Sequence, residues 1–230
     1  MQISIIIPTL NEAENIGRLI HYLKTHGDAR LFEIIVVDGR SQDDTEGLAS
    51  REGATVVKSE RRGRAIQMNL GAAIARGNVL YFIHADCQPP STYCADIQQF
   101  IDEGYPLGCY RYRFDAQGFM LKINAYFTRF SPLWCRGGDE TLYVTREVFH
   151  ALKGYDEYYS IMEEYDFIRR AQQLYLFKII PKYVVVSARK YETNSWLRVM
   201  WANFRVFRLF KKGVSPDILG KTYKNMLVYR

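Results

Sequence analysis

Three short runs carry side chains whose types and spacing suit chemistry: Pro8-Thr9-Leu10-Asn11-Glu12, Asp38-Gly39-Arg40-Ser41 and His84-Ala85-Asp86. Each comes directly after an apolar, largely β-branched or aromatic run. In an open parallel sheet, ligands bind outside the carboxyl ends of the strands, so three such ends together make a candidate site. Carboxylates gathered there repel one another unless a cation or a hydrogen-bonding ligand is present. Such a site suits a ribose, a base edge, or a metal ion holding a diphosphate. Taken singly, Asp38-Gly39 is also compatible with a plain turn, and Asp86 with a helix cap for the segment after Pro89. Their occurrence at three ends of one sheet favours binding.

The commoner nucleotide and hydrolase signatures are missing. There is no GxxxxGK[ST] phosphate loop, and no GxGxxG comes after the first strand. No GxSxG elbow occurs, and His21, His26, His84 and His150 show no metal-ligand spacing. A site built on carboxylates, with a cation and a phosphate, is what remains.

The elements that must position these residues are legible. Ile3-Ser4-Ile5-Ile6-Ile7, ended by Pro8, reads as a strand buried on both faces. Asn11 offers an N-cap with Glu14 at N3, and Ile16, Leu19, Ile20 and Leu23 share one face of the helix after it. Further strands are predicted at Ile34–Val37, Thr55–Val57 and Val79–Ile83, with a helix from about Arg64 to Arg76. This alternation means right-handed βαβ units and a mostly parallel sheet. In the second half, Tyr110, Tyr112 and Phe114 alternate with Arg111 and Arg113, as in a strand with one wet face. Then come a loop from Trp134 to Asp139, a strand Thr141–Val144 and a helix Met162–Leu174. Two short strands around Pro181 precede an aromatic helix Ser195–Phe210. We read residues 1–193 as one domain, with a nucleotide-binding half at 1–105 and a mixed half at 106–193. Residues 194–230 form a basic, aromatic, helical extension.

The chain has 230 residues, 48% hydrophobic and 24% charged, which excludes disorder, collagen and coiled coil. Four cysteines without a CxxC pair suggest neither zinc nor disulfides and fit a reduced compartment. Met1 leads straight into a strand-like run, without the basic segment and cleavage site of a signal peptide. A cytoplasmic location is expected. The net charge of +6 is unevenly spread: residues 182–230 carry a net +9 and the remainder a net −3. Such a tail is either a solvated charge excess or a surface attracting phosphates. No nucleic-acid-binding motif accompanies it.

The strand ending in Pro8-Thr9-Leu10-Asn11-Glu12 and the run Val36-Val37-Asp38-Gly39-Arg40-Ser41-Gln42-Asp43-Asp44-Thr45 resemble the opening of family 2 glycosyltransferases of the GT-A fold. The likeness continues through Gly63-Arg64-Ala65, Asn69-Leu70-Gly71-Ala72, His84-Ala85-Asp86 and Met162-Glu163-Glu164-Tyr165-Asp166, over about 190 residues. With Gln67-Met68-Asn69, Gly138-Asp139 and Trp196-Leu197-Arg198, the compact form is similar to a small bacterial subgroup. That subgroup is associated with radical-SAM or selenodomain proteins and arsenosugar biosynthesis. The resemblance implies a GT-A-like α/β fold with a Rossmann-like nucleotide-binding half. It also implies metal-dependent, inverting transfer of a sugar, of hexosyltransferase type, from a UDP- or GDP-linked donor to an acceptor hydroxyl. An inactive nucleotide-sugar-binding protein or a nucleotidyltransferase is the alternative, although the acidic stretch after the first strand disfavours the latter.

By the same resemblance, Pro8, Thr9, Asn11, Glu12, Asp38 and Ala85 hold the nucleotide-sugar and Arg64 lies against its phosphates. Asp86 binds Mg²⁺ or Mn²⁺, which takes one or two carboxylates plus phosphate oxygens. His84 stands where many relatives have a first Asp. Glu164 is the candidate general base, with Glu163 beside it, and Asp166 is a helix-stabilising or supporting group. Trp134, Gly137, Gly138 and Asp139 form the acceptor side. On a helical wheel of 195–212, Arg198, Arg205, Arg208 and Lys212 form one stripe. Trp196, Met200, Phe204, Phe207 and Phe210 lie opposite. This helix can lie on an anionic membrane surface, cover the protein's own core, or meet a twin subunit in a homodimer.

Overall fold

Isoleucine sets the centre of the molecule. In the computed structural model, which describes residues 1–136 and 141–228, strand β1 (Ile3–Thr9) is buried along its whole length. Ile3, Ile5 and Ile7 enter the core on one sheet face, and Ile6 enters the core on the other. Each isoleucine removed from water contributes about 1.5–3 kcal/mol. Helix α1 (Ala13–His26) covers the first face with Ile16, Leu19, Ile20 and Leu23. Strands β2 (Leu31–Asp38), β3 (Thr55–Lys58) and β4 (Val79–Phe82) complete the parallel half. Helix α2 (Thr45–Arg51) links β2 to β3, and α3 (Arg64–Ile74) lies on the opposite face from α1. Gly71 lets α3 approach β1: a Cβ there would stand 2.5 Å from Ile6 Cγ2.

Beyond β4 the chain adds β5 (Cys87–Gln88), α4 (Tyr93–Asp102), β6 (Leu107–Phe114) and α5 (Phe119–Phe127). A 3-10 turn at Leu133–Cys135 precedes β7 (Leu142–Thr145), α6 (Arg146–Ala151) and α7 (Glu163–Gln172). The chain ends with strand β8 (Phe177–Val186), α8 (Lys190–Thr193), α9 (Trp196–Lys211) and α10 (Pro216–Met226). The sheet order is β3-β2-β1-β4-β7-β6-β8-β5. Four of its seven pairings among the described residues are parallel; β7 runs against β4 and β6, and β5 against β8. The mostly parallel α/β sheet expected from the sequence is observed.

Three local expectations are corrected. Asn11 is not a helix cap: Glu12 holds that position without a side-chain cap bond, and Asn11 adopts φ +55°. Its side chain bonds to the loop between β2 and α2 instead. Pro8 does not end β1, because its missing N–H falls where β4 has already stopped and breaks no ladder bond. The two strands around Pro181 are one strand, β8, whose register against β6 shifts between Ile180 and Tyr183 to absorb Pro181 and Lys182 as a bulge.

The extension folds back on the domain. Val206, Phe210 and Leu219 pack with Leu133, Tyr159, Ile161 and Tyr165, while Val199 and Ala202 pack with Leu227. The inward face of α9 is therefore set by small and β-branched residues between the expected aromatic positions. Of the predicted aromatic stripe, only Phe210 is fully buried there, and Phe204 is 50% exposed.

Candidate active site

The ends of β1 and β2 are stitched into one rigid lip. Ser41 Oγ accepts from the Asn11 N–H at 2.8 Å and donates to Asp38 Oδ1, while the Ser41 N–H donates to Asp38 Oδ2. Asn11 Oδ1 accepts from the Gln42 N–H at 2.8 Å, which holds Asn11 in its left-handed conformation. Thr9 Oγ1 donates to Asp38 Oδ1 at 3.3 Å. Beneath them Gln67, buried on α3, donates to the carbonyls of Thr9 and Val37. Asp38 is wholly buried, so both of its oxygens serve the chain itself. Pro8 and Ala85 are buried too.

A second cluster spans the sheet. Arg189, just after β8, forks onto Glu12, with Nη2 at 2.5 Å from Oε1 and Nη1 at 3.1 Å from Oε2. Its Nη2 also stands 3.1 Å from Asp86 Oδ2. The Glu12 hydrogen bond, with Asp86 nearby, raises the Arg189 pKa and keeps it charged, so one cation neutralises two expected ligand carboxylates. Strand register explains this meeting: β5 pairs Cys87 with Val186, which places Asp86 next to the residues leaving β8. Nothing local in the sequence marks Arg189 among the other basic residues of the tail. Among the described residues, no three His, Cys, Asp or Glu side chains form a metal-ligand set. Asp86 nevertheless offers hard oxygen donors that fit a divalent ion drawing its remaining ligands from phosphates, with Arg189 as the cation it would have to displace.

The third cluster sits where α7 begins. Glu163 is fully buried, and its Oε1 lies 2.8 Å from Arg64 Nε. Glu164, also buried, lies 3.2 Å through Oε1 from His84 Nε2. Burial pushes the Glu164 carboxyl above its ordinary range, opposed by the hydrogen bond from His84 and by Arg64. Burial alone would lower the His84 pKa; the hydrogen bond and charge of Glu164 outweigh it, and the pKa rises. The Tyr155 hydroxyl is buried beside both acids and has no hydrogen-bond partner; burial above all keeps it protonated. Asp166 binds Arg169 and Arg170 on its own helix, the supporting arrangement expected of it. The pairing of His84 with Glu164 escapes sequence reasoning, because 80 residues separate them.

Glu164 and Arg64 line a cavity of about 500 Å³. Phe127 and Trp134, and Trp196, Met200, Phe204 and Phe207 of α9, are among the residues that line it. Trp134 is 58% exposed and stacks at a tilt on Phe127, with ring centroids 5.8 Å apart, so it is not a core residue. Gly137, Gly138 and Asp139, assigned to the acceptor side, lie outside the described residues.

Residues 4–151 match the family model described as "Glycosyl transferase family 2", which is more than half of the chain. The chain belongs to that family. Glycosyltransferase AglE of Haloferax volcanii is 30% identical over 110 residues, covering 44% of this chain and 34% of that protein. Glucosyl-3-phosphoglycerate synthase of Mycolicibacterium paratuberculosis is 34% identical over 98 residues, covering 38% and 29%. The matched region therefore spans about a third of these curated relatives. In fold, this family 2 chain is similar to the mannosyltransferase PcManGT from Pyrobaculum calidifontis, solved in complex with GDP-Man and Mn2+. Their TM-score is 0.69 at 19% identity, over 92% of this chain and 64% of that one. S. aureus TarS 1-349 in complex with UDP gives 0.67 at 17% identity, over 82% and 61%.

Proposed function

We propose that the protein transfers a sugar from a UDP- or GDP-linked donor to an acceptor hydroxyl with inversion at the anomeric carbon. The observation that carries this reading is Glu164, a buried carboxylate held by His84 beside a cavity at the carboxyl edge of the sheet. An acceptor hydroxyl is a weak nucleophile until its proton is taken, and in this reading Glu164 takes it. The freed oxygen forms the bond to the anomeric carbon as the bond to the diphosphate oxygen breaks and the nucleoside diphosphate leaves. Burial favours the protonated carboxyl, and a base whose pKa lies nearer neutrality accepts a proton more effectively. The lip of Thr9, Asn11 and Asp38 shapes the nucleotide end, and Glu163 orients Arg64 toward the phosphates. Asp86 would hold a divalent ion, Mg²⁺ or Mn²⁺, which would supply charge neutralisation to the leaving diphosphate. Residues 1–193 form the catalytic unit in this reading, and membership of the small bacterial subgroup rests on the runs that resemble it.

The test is a panel of UDP- and GDP-sugars, each with Mn2+ or with EDTA, scored for donor hydrolysis and for calorimetric donor binding. Glu164→Gln keeps the shape of the side chain and removes the base; it is expected to retain donor binding and to lose about 10²–10⁴ in rate. Donor binding without turnover by the wild type would instead identify an inactive binding protein. Equal donor binding in EDTA would remove the metal from the reading.

A further inference from the structure

The cavity at Glu164 is lined mainly by aromatic and aliphatic side chains, and its aromatic walls continue onto the surface. Among the described residues, half of the large exposed apolar side chains fall on two segments, 119–134 and 197–204. These are the segments that frame the cavity, and they include Phe119, Tyr126, Phe130, Leu197 and Trp201. An exposed apolar patch of this kind marks a binding surface. Its charge is one-sided: residues 117–136 and 195–214 hold no Asp or Glu and eight Lys and Arg, of which all but the buried Arg136 lie outside the core. Two of these cations lie over the exposed rings, Arg129 over Tyr126 at 3.8 Å and Arg208 over Phe204 at 5.6 Å. Inside, Trp196 lines the cavity, and its buried Nε1 has no hydrogen-bond partner, leaving a donor for a ligand oxygen.

We propose that the acceptor is a lipid alcohol, taken from an anionic bilayer with its apolar chain in the cavity between α5 and α9 and its hydroxyl at Glu164. This rests on the sugar-transfer reading. Aromatic side chains with a polar or cationic partner favour the membrane interface, where one end is apolar and the other wet. The adjacent Lys and Arg side chains are drawn to anionic headgroups. A cavity of about 500 Å³ is of the size that holds one small ligand or the head and first part of a chain. A sugar acceptor can stack on one or two of these rings, whereas the aliphatic lining by Ile123, Ile161, Met162 and Met200 suits an apolar chain.

The full chain is tested in three arms. In the first, it is sedimented with phosphatidylglycerol vesicles and, separately, with phosphatidylcholine vesicles at low salt. Preferential binding to the anionic vesicles is expected, with a loss of roughly fivefold for each of Arg205→Gln and Arg208→Gln. In the second, tryptophan fluorescence is monitored during titration with dioctanoylglycerol. A saturable change is expected that is lost in Phe204→Glu; Phe204 is half exposed, and a melting curve verifies that this variant is folded. In the third, the donor identified by calorimetry is supplied with dioctanoylglycerol or with a free sugar, and transfer to the lipid is expected. Donor binding with no response to either lipid probe overturns the lipid acceptor and leaves sugar transfer standing. Transfer to the free sugar alone overturns it as well. Lipid binding without any nucleotide-sugar binding overturns sugar transfer instead.

Discussion

His84 and Glu164 act as one unit, and the unit makes a signed prediction. The histidine donates to the carboxylate proposed as base, and this bond lowers the Glu164 pKa against the effect of burial. His84→Phe keeps a ring and removes the donor. The Glu164 pKa should then rise further, and the acidic limb of the pH–rate profile should move to higher pH by about one unit or more. An unmoved limb would show that another group sets it. Both pKa values lie above their ordinary values in the folded chain, so both groups bind protons more tightly folded than unfolded. The His84 contribution to stability is complete below the ordinary histidine range and is lost as pH rises through its folded value. The cost of burying charged Glu164 grows over its own lower window, so the two effects have the same sign. Arg189 is the other decisive residue, because it stands between Glu12 and Asp86 where a divalent ion would otherwise be attracted. Arg189→Gln should tighten Mn2+ binding in the absence of nucleotide by about fivefold, the equivalent of an exposed pair worth ~1 kcal/mol. Calorimetry measures it, and weaker binding would give Arg189 a supporting role instead.

Among the elements, α9 departs most from its helical wheel. The arginine stripe is exposed as expected, but the aromatic stripe opposite it is divided between core and cavity. Phe210 is buried against Leu219 and the rings of Tyr159 and Tyr165, whereas Phe204 is half exposed at the cavity rim. Phe210→Ala should therefore cost about 3–5 kcal/mol in chemical denaturation. Phe204→Ala should cost less, because only about half of its surface is removed from water by folding. Equal costs would mean that α9 packs in a different rotation. The same reasoning explains the inward face: Val199, Ala202 and Val206 are small enough to let α9 approach its neighbours closely.

At the scale of the whole molecule, the site is drawn from parts of the chain that no local pattern connects. The apolar runs of β1, β2 and β4 are legible because a strand buried on both faces must be continuously hydrophobic. The polar runs after them are legible as a candidate site because a parallel sheet presents those ends on one edge. Glu164 and Asp166 can be placed at the start of a helix by their pattern and resemblance. Asn11 reads wrongly as a cap because capping preference is local, while Ser41 and Gln42, thirty residues on, offer it competing hydrogen bonds. The amino-acid sequence by itself determined the order of elements, the two-sided core and the residue types at the sheet's carboxyl edge, since these depend on periodicity and propensity along a few neighbouring residues. Only the tertiary structure decided that Arg189 reaches Glu12 across 177 positions, that His84 holds Glu164, and that α5 and α9 enclose a cavity. Those contacts depend on strand register and helix rotation, which minimise exposed apolar surface over the whole chain at once and leave no mark at any single position.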